Sequence, residues 1–486
     1  MSVERKQAVV EYFLARGMLV TPEVLEAAGT MDPEELYLLH QKEEDHTDKK
    51  EECITGDGRQ LAKDPSVPPA SVNIIFSYDE KPQKKSIKDF TDYFRNRFQV
   101  ISGLLRNRQE LANLMSVARV KEKRDKERVS LIGLITKKET TKNGNLVIGI
   151  EDTTGEMTCV IHKNKPDILE RSKDLVLDEV VGVVGTSSDG IVFLENVVFP
   201  DIPVNRELKK CPDEVYAVFL SDIHVGSSYF LEEDFHRFLS WINGDFGTEE
   251  HRALAAKVRY LFIVGDLVDG VGIYPGQESE LKIKDIYEQY KRFFEFVKLI
   301  PDSISIIIST GNHDAVRLSE PQPPLPKEFI GSFSKPNTYF VSNPSRVLIH
   351  HTDIFPGLDV LLYHGYSMDY YAQNLESVRI EGGYKRPDLL MRHFLQKRHL
   401  APSHTSTLYV PGGKDYLVIE SAPDIFVTGH IHKSGIANYR NTTMICGSCF
   451  QDTTPFQIKV GHSPEPGRVP IINLQTRQAK ILKFIK

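Results

Sequence analysis

The chain has 486 residues, of which 40% are hydrophobic and 26% charged, and its formal net charge is −7. This composition is typical of soluble globular proteins, and the length allows about two to four domains. No run of 18 apolar residues occurs and the start MSVERKQAVVEYF is highly charged, so neither a membrane span nor a secretory signal is expected. The five scattered cysteines indicate a cytoplasmic location.

The N-terminal part is predicted to be a helical module followed by a linker. Residues 1–40 contain three short helical stretches, two of which begin at a capping residue followed by proline, Thr21 and Asp32. Such a module is suited to docking on another protein. Residues 41–70 are charged and poor in large apolar side chains, which predicts a flexible linker.

Residues 71–127 are predicted to be a basic connector, with the strand VNIIFSY followed by a long helix. Between Lys81 and Arg128 there are 14 basic and 6 acidic residues, which fits either a solvated helix surface or a contact with DNA. Apolar side chains recur at helical spacing and are expected in the core rather than as stacking platforms for bases: Phe90, Tyr93, Phe94, Phe98, Ile101 and Leu105.

Residues 128–204 change to short β runs separated by the turn sequences TKNG, TTG and SSDG. Five strands in this length predict a small Greek-key barrel of the OB type. Such barrels bind single strands or serve as interaction modules. Both roles stay open, because few aromatic residues lie on the strands.

Residues 212–486 alternate apolar runs with helical stretches, which predicts a layered α/β domain. Five of these runs end in a cluster of Asp, Asn or His. The clusters are SDIHVGSS (221–228), GDLVDG (265–270), GNHD (311–314), HGYSMD (364–369) and GHIH (429–432). Because ligands gather beyond the carboxyl ends of strands in such sheets, we expect the clusters to meet in space.

The clustered side chains have the chemistry of a metal site. Asp, Asn and neutral His are mixed oxygen and nitrogen ligands, which suit Mn²⁺, Fe or Zn²⁺ better than Ca²⁺. So many ligands fit two ions about 3.5–4 Å apart that share a carboxylate, as in phosphoester-cleaving sites. Histidines outside the clusters are interpreted as surface or core residues, such as His350, His351 and His462.

At these residues the sequence resembles the calcineurin-like metallophosphoesterase family, whose D-x-H, G-D-x-x-D, G-N-H-D, H-G and G-H-x-H motifs are intact. The resemblance implies two ions that share Asp266 as a bridging ligand. It implies as further ligands Asp222, His224 and His432 for one ion, and Asn312, His364 and His430 for the other.

The same resemblance implies a residue that acts on the substrate. His313 would lie near the scissile phosphate, where it donates a proton to the leaving oxygen or stabilises developing charge. Asp314 is expected to orient His313. Asp269 belongs to the motif, but the resemblance gives it no certain role as a ligand.

The domain order resembles the small-subunit family of archaeal family D DNA polymerases, over roughly residues 71–486. The stretches that carry this likeness are DYFRNRF, LLRNR, FLSDIHVGS, IVGDLVDGVGIYPGQ, KRHLAP and APDIFVTGHIH. It implies a multidomain fold, with an α/β metallophosphoesterase sandwich preceded by an OB-type barrel and a helical module. It also implies a 3′→5′ proofreading exonuclease with two divalent ions, with Mn²⁺ expected and Fe or Zn as alternatives.

The family resemblance further implies the partners. These are a large catalytic polymerase subunit, in a heterodimer or higher assembly, and DNA with single-stranded or frayed 3′ ends. The N-terminal helices are candidates for binding a sliding clamp, and no membrane partner is expected. Two other functions stay open: a different dinuclear-metal phosphoesterase, and a non-catalytic assembly subunit with a vestigial site. The barrel argues against the first and the intact ligands against the second.

One basic segment is a candidate for contact with DNA near the metals. Residues 384–402, YKRPDLLMRHFLQKRHLAP, are predicted to form a helix with a buried face of Leu390, Met391, Phe394 and Leu395. Its basic side chains would either hold the DNA backbone or form a solvated face: Lys385, Arg386, Arg392, Lys397 and Arg398.

Overall fold

The structure is a computed structural model, and it describes residues 51–53, 69–123, 126–459 and 461–485. The chain divides into two units after Lys50, and the described residues belong to the second, Glu51–Lys486. The predicted helical module 1–40 and most of the predicted linker 41–70 lie outside the described residues. Within the described part, no helix has the length and apolar character needed to cross a membrane.

Five strands close into a barrel. In chain order they are β3 (Glu127–Thr140), β4 (Leu146–Asp152), β5 (Gly155–Ile161), β6 (Val180–Ser188) and β7 (Ile191–Val198). Each predicted β run of this region forms one of them. The spatial order is β3-β4-β5-β7-β6, in which β5 and β7 pair in parallel and the other neighbours are antiparallel. Helix α3 (Pro166–Ser172) lies between β5 and β6 in the chain.

The remaining strands form two sheets. The seven-stranded sheet has the spatial order β1 (Glu51–Cys53), β18 (Ala479–Lys483), β17 (Arg468–Asn473), β8 (Tyr216–Leu220), β9 (Val258–Val264), β10 (Ser305–Ser309) and β11 (Thr338–Phe340). The six-stranded sheet has the order β15 (Gly435–Tyr439), β16 (Thr442–Cys446), β14 (Ile425–Thr428), β13 (Leu358–Leu362), β12 (Ser345–Ile349) and β2 (Val72–Ser77). All five strands predicted to lead into the polar clusters are present.

The two sheets pack face to face. One buried cluster joins Phe219 and Phe262 of the seven-stranded sheet to Val360, Val427 and Ile445 of the six-stranded sheet. Strands β8, β9 and β10 pair in parallel and are buried on both faces, which explains why they read as continuous apolar runs rather than alternating ones. The molecule therefore has a β-sandwich at its centre.

Helices cover both outer faces of this sandwich. On the seven-stranded sheet lie α4 (Glu232–Ile242), α5 (Glu249–Ala256) and α6 (Ile286–Lys298). On the six-stranded sheet lie α8 (Met368–Asn374), α9 (Glu376–Ile380) and α10 (Pro387–Lys397). The other helices are α1 (Ile87–Arg106), α2 (Val117–Lys121), α7 (Lys327–Ile330) and α11 (Pro455–Lys459). Helix α6 begins at Asp285, whose carboxylate accepts hydrogen bonds from the backbone amides of Tyr287 and Glu288.

The segment predicted as a connector is part of the sandwich. Strand β2 pairs antiparallel with β12 and forms an edge of the six-stranded sheet. Helix α1 then packs on the barrel through Ile101 and Leu105. Three residues of the predicted linker, Glu51–Cys53, pair in parallel with β18. The strand and the long helix predicted for residues 71–127 are both present, and the structure adds their packing partners, which a sequence pattern does not reveal.

Candidate metal centre

The polar clusters that follow the five strands meet at one end of the sandwich. Strands β8, β9 and β10 run parallel in one sheet, and β13 and β14 run parallel in the other, so each set ends at a common edge. Two groups of three potential ligands form there, and within each group the ligand atoms lie within 4.8 Å of one another. The first group is Asp222, His224 and His432, and the second is Asp266, His364 and His430. The sequence prediction that these side chains converge is therefore realised in the fold.

Asp266 lies between the two groups. Its Oδ2 atom is 3.3 Å from Nε2 of His364 and 3.8 Å from Nε2 of His224. Its other oxygen accepts a hydrogen bond from the backbone amide of His313 at 2.8 Å. One carboxylate oxygen thus faces a histidine from each group, which is the position that a bridging ligand requires.

In the first group, the potential metal-ligand atoms face one another. Nε2 of His224 and Nε2 of His432 are 3.1 Å apart, and Nε2 of His432 is 3.4 Å from Oδ1 of Asp222. This Oδ1 atom is buried without a hydrogen-bond partner among the described residues. A buried carboxylate oxygen facing two imidazole nitrogens fits a divalent cation of the Mn²⁺, Fe or Zn²⁺ kind.

The second group includes the predicted amide ligand. Oδ1 of Asn312 lies 3.0 Å from Nε2 of His364. On the other side of the ring, Nδ1 of His364 lies 2.9 Å from the carbonyl oxygen of Val264. When Nδ1 donates to that carbonyl, the lone pair of Nε2 is directed at the site.

The buried carboxylates of the site are charged. Burial alone would raise the pKa of Asp266, but the rings of His364 and His313 outweigh it and hold that pKa well below its usual range. The pKa of Asp222 is also lowered, because His432 outweighs the effect of burial. Burial would lower the pKa of His364, yet the charge of Asp266 raises it to about 10. A bound cation would take the place of the proton on His364.

The backbone of the site is strained. Five of the predicted ligands have a left-handed backbone with φ between +50° and +69°: Asp222, His224, Asp266, His430 and His432. Such a conformation costs about 1–3 kcal/mol for a residue other than glycine. It persists here because the strand ends and the ligand contacts fix it, and its concentration at one place marks a functional site.

Two glycines allow the ligands to approach the backbone closely. A Cβ atom at Gly311 would lie 2.3 Å from Oδ1 of Asp266, and one at Gly429 would lie 2.7 Å from Oδ2 of Asp222. A larger residue would press on the carboxylate at either position, and at Gly429 it would also clash with the side chain of Ser221. The glycines of the G-N-H-D and G-H-x-H motifs are thus explained by space around the carboxylates.

His313 is held beside the first group. Nδ1 lies 2.8 Å from the carbonyl oxygen of Asp269, and its ring meets the ring of His224 edge to face at 4.6 Å. Burial lowers the pKa of His313. With Nδ1 donating to the carbonyl, Nε2 remains for a substrate.

The expectation that Asp314 orients His313 is wrong. Its carboxylate accepts hydrogen bonds from the amide of Gly311 at 2.8 Å and the hydroxyl of Tyr290 at 3.0 Å. Burial raises the pKa of Asp314 to about 7. Asp314 therefore holds the loop after β10 in place, and the carbonyl of Asp269 orients His313 instead.

Two carboxylates that support the ligands were not identified from the sequence. Oδ1 of Asp269 is 3.1 Å from Nδ1 of His224, and Oδ2 of Asp369 is 3.1 Å from Nε2 of His430. Carboxylates in such positions orient histidine ligands. Asp269 had a signal, its place in the G-D-x-x-D motif, whereas Asp369 had only its position in the HGYSMD cluster.

The basic helix near residues 384–402 does not present the surface that was predicted. The buried face of α10 is as expected, but Nζ of Lys397 is 2.6 Å from Oε2 of buried Glu179. Arg398 is also buried and donates to the carbonyl oxygens of Ile419 and Glu420. These two cations are unavailable to DNA. Lys385 and Arg392 are exposed, and Arg386 pairs with acidic neighbours.

Comparison with known proteins identifies related chains. Residues 217–435 match the family model that describes the B subunits of DNA polymerases alpha and epsilon. The chain is 37% identical over 441 residues to the DNA polymerase II small subunit of Methanocaldococcus jannaschii, covering 89% of this chain and 71% of that protein. It is 38% identical over 430 residues to the protein of that name from Methanothermobacter thermautotrophicus, covering 87% and 86%.

A solved structure matches a smaller part of the chain. The telomere capping protein Ten1 from Saccharomyces pombe is 22% identical over 18% of this chain and 78% of its own, with a TM-score of 0.14. The evidence that the chain is related to known proteins is its similarity, over most of its length, to the archaeal small subunits.

Proposed function

Because the chain belongs to the family of archaeal DNA polymerase II small subunits, which are subunits of the family D enzyme, we propose that it is the metal-dependent 3′→5′ exonuclease of a polymerase assembly. The observation that carries the proposal is the pair of ligand groups that face the shared carboxylate of Asp266. Hydrolysis of a phosphodiester at this place would remove nucleotides from a 3′ end.

Two divalent ions suit the site, with Mn²⁺ expected and Fe or Zn as alternatives. Asp222, His224 and His432 would hold one, and Asn312, His364 and His430 the other, with Asp266 shared. When bound, the two ions supply activation of water and polarisation of the phosphate. The unpartnered Oδ1 of Asp222 and the facing imidazole nitrogens support this ligand set.

His313 would act on the leaving group. The carbonyl of Asp269 fixes its Nδ1, so its Nε2 is the atom that contacts a phosphate or the leaving oxygen. Nε2 would take up a proton from solvent and donate it to the leaving 3′ oxygen as water attacks phosphorus and the bond between phosphorus and that oxygen breaks. The attacking water would release its proton to solvent. Asp269 has two tasks, since its carboxylate orients His224 and its carbonyl orients His313.

The fold assignments support the same function. The barrel has a parallel closure between β5 and β7 and a helix between β5 and β6, and we assign it to the OB type. The sandwich, with its ligands at the strand ends, is assigned to the metallophosphoesterases. The partners that follow are a large catalytic subunit, which carries out synthesis, and DNA with a single-stranded or frayed 3′ end.

The test compares DNA with a phosphopeptide. The full-length chain, copurified with the large polymerase subunit, is incubated with Mn²⁺ and either a 5′-labelled single-stranded oligonucleotide or a phosphopeptide. We expect shortening of the oligonucleotide from its 3′ end and no release of phosphate from the peptide. Hydrolysis of the peptide alone would indicate a different phosphoesterase, and hydrolysis of neither substrate would indicate a non-catalytic assembly subunit.

A variant of His313 tests the residue that acts on the leaving group. His313→Ala is expected to lose DNA hydrolysis by about 10²–10⁴-fold, because general acid catalysis contributes that much. The matched control is His351→Ala, which removes an exposed histidine outside the site and should retain full activity. Circular dichroism and copurification with the large subunit should be the same for both variants. Full activity of His313→Ala would contradict its proposed role.

A further inference from the structure

An apolar rim of exposed side chains lies beside the candidate metal centre. It comprises two segments, residues 271–274 and 456–458, which meet where the rings of Tyr274 and Phe456 stack with centroids 5.0 Å apart and planes at 17°. Phe456 is 45% exposed and Ile458 66% exposed. On the other segment Val271 and Ile273 are also exposed. We call the side chains of Val271, Ile273, Tyr274, Phe456 and Ile458 the aromatic rim.

Hydrogen bonds tie the first segment to the site. The amide of Ile273 donates to Oε1 of Gln277 at 2.9 Å. The side chain of Gln277 in turn donates to the carboxylate of Asp269 at 3.0 Å and to its carbonyl oxygen at 2.8 Å. The hydroxyl of Tyr274 donates to Glu280 at 2.8 Å, which anchors the end of the side chain. Tyr274 is therefore positioned relative to Asp269, which contacts both His224 and His313.

The second segment is tied to the same residues. Gln457, the neighbour of Phe456, places its Nε2 atom 3.1 Å from Nδ1 of His432. Gln451, five residues before Phe456, donates to Oδ1 of Asp269 at 2.8 Å. Two of the three ligands of the first group, His224 and His432, are thus each linked to one side of the aromatic rim. Hydrogen bonds from both segments therefore fix the position of the Tyr274–Phe456 stack relative to the metal centre.

Core packing does not account for this arrangement. Phe456 and Ile458 are absent from the buried clusters of the sandwich, and their exposure leaves apolar surface next to residues that contact the candidate ligands. Grouped exposed apolar side chains beside a polar site indicate a surface that binds a ligand. The ligand should be flat and apolar on its face, and it should be joined to the group that reacts at the metals.

We propose that Phe456, backed by Tyr274, stacks on the base of the terminal nucleotide whose phosphodiester lies at the metal centre. The inference rests on the proposed nuclease function and adds the way in which the site holds its substrate. A nucleobase is flat, and it is attached to the reacting phosphate through one sugar. Stacking on an aromatic ring is tolerant of sequence, because every base has a π face.

This arrangement selects for unpaired ends. A base that is paired and stacked in a duplex cannot also lie on Phe456, so it must first leave the helix. Leaving costs least for a mismatched or single-stranded end. The aromatic rim would therefore favour frayed 3′ ends without reading the identity of the base.

A fluorescence experiment tests the stacking directly. An oligonucleotide with 2-aminopurine as its 3′-terminal base is bound to the full-length protein, alone and copurified with the large subunit, with Ca²⁺ in place of Mn²⁺ to suppress hydrolysis. We expect quenching of 2-aminopurine by the wild type and by Phe456→Trp, and at least a twofold smaller quenching by Phe456→Ala. The matched control is Phe193→Ala, which removes a ring of similar exposure, 43%, from barrel strand β7.

A second measurement compares a normal oligonucleotide with one whose 3′-terminal nucleotide is abasic. The wild type should cleave the normal end with a kcat/KM about 5- to 150-fold higher, the range expected for one stacked base. Phe456→Ala should cleave both ends at similar rates, and Phe193→Ala should retain the preference.

The outcomes separate this inference from the nuclease proposal. If the wild type cleaves DNA but Phe456→Ala keeps both the quenching and the preference for a base, the stacking is refuted and the nuclease stands. If the wild type neither cleaves DNA nor quenches 2-aminopurine, both are refuted. If quenching depends on Phe456 while no DNA is cleaved, the base site is supported and the nuclease is refuted. Quenching only at the penultimate position would also overturn the inference.

Discussion

The metal centre and the junction between the barrel and the sandwich both bury charged side chains, but they balance the charge differently. At the junction, Nε of buried Arg97 is 2.7 Å from Oδ2 of Asp415, which is also 2.8 Å from Nε2 of His399. Lys397 and Glu179 form a second buried pair there. At the metal centre, by contrast, no ion pair with Lys or Arg is found for Asp222 or Asp266 among the described residues.

This difference separates a structural role of buried charge from a functional one. The pKa of Asp415 is lowered because His399 and Arg97 outweigh the effect of burial, so its charge is balanced within the fold. Asp222 and Asp266 are balanced only by histidines, which are themselves potential ligands. Burial alone therefore does not mark a site, whereas buried carboxylates that lack a permanent cation do.

The largest effect is expected from the shared carboxylate. Loss of a residue that hydrogen-bonds a metal ligand lowers metal affinity or activity by roughly 10- to 100-fold. Asp266→Asn should lower both by more than this, because histidines of both groups face Asp266. Calorimetric titration with Mn²⁺ and DNA hydrolysis would measure the two losses. Circular dichroism should show a retained fold. Metal binding at wild-type strength would remove Asp266 from the ligand set.

At the junction the same chemical change should affect stability instead. Asp415→Asn leaves Arg97 buried without its charge partner, and we expect the free energy of unfolding to fall by about 3–5 kcal/mol. Chemical denaturation would measure this change, and the folded variant should bind Mn²⁺ as the wild type does. The control is Asp92→Asn, which breaks surface pairs with Lys88 and Arg95 and should change stability by less than about 1 kcal/mol. Equal effects of the two variants would show that the junction pair contributes no more than a surface pair.

A smaller effect is expected for a residue that orients a ligand. Asp269→Asn keeps the size of the side chain but removes the charge next to His224, and we expect about 10- to 100-fold weaker metal binding. Metal titration of this variant beside Asp353→Asn, an exposed aspartate outside the site, would measure the difference. An unchanged affinity would assign the contact between Asp269 and His224 to packing alone.

The sequence predicted the strands and the convergence of their polar ends because both are local patterns. An apolar run bounded by turn residues predicts a buried strand, and Asp, Asn and His at the ends of several such runs predict a shared site. The barrel strands were predictable for the same reason. The helical module at residues 1–40 stays a prediction.

The features that sequence reasoning missed depend on distant partners. Lys397 looked like part of a basic surface because its partner Glu179 lies in the barrel, far away in the sequence. The carbonyl of Asp269, which orients His313, has no signature in the side-chain sequence. Strand β2 looked like a connector because its pairing with β12 crosses the whole barrel sequence. Local periodicity predicts which side chains are buried, but it does not predict which distant residue or strand each of them contacts.

Because β2 pairs with β12, the barrel is inserted between two strands of the sandwich and is not a separate domain that precedes it. A recombinant fragment that starts near residue 212 would lack an edge strand and expose the hydrogen-bonding groups of β12, which invites aggregation. A cut between residues 78 and 86 would leave the edge strand paired, yet free the helix and barrel at one end. Dissection of this protein into working parts should therefore begin at residue 51 or earlier, so that β1 and β2 both stay paired, with the barrel retained.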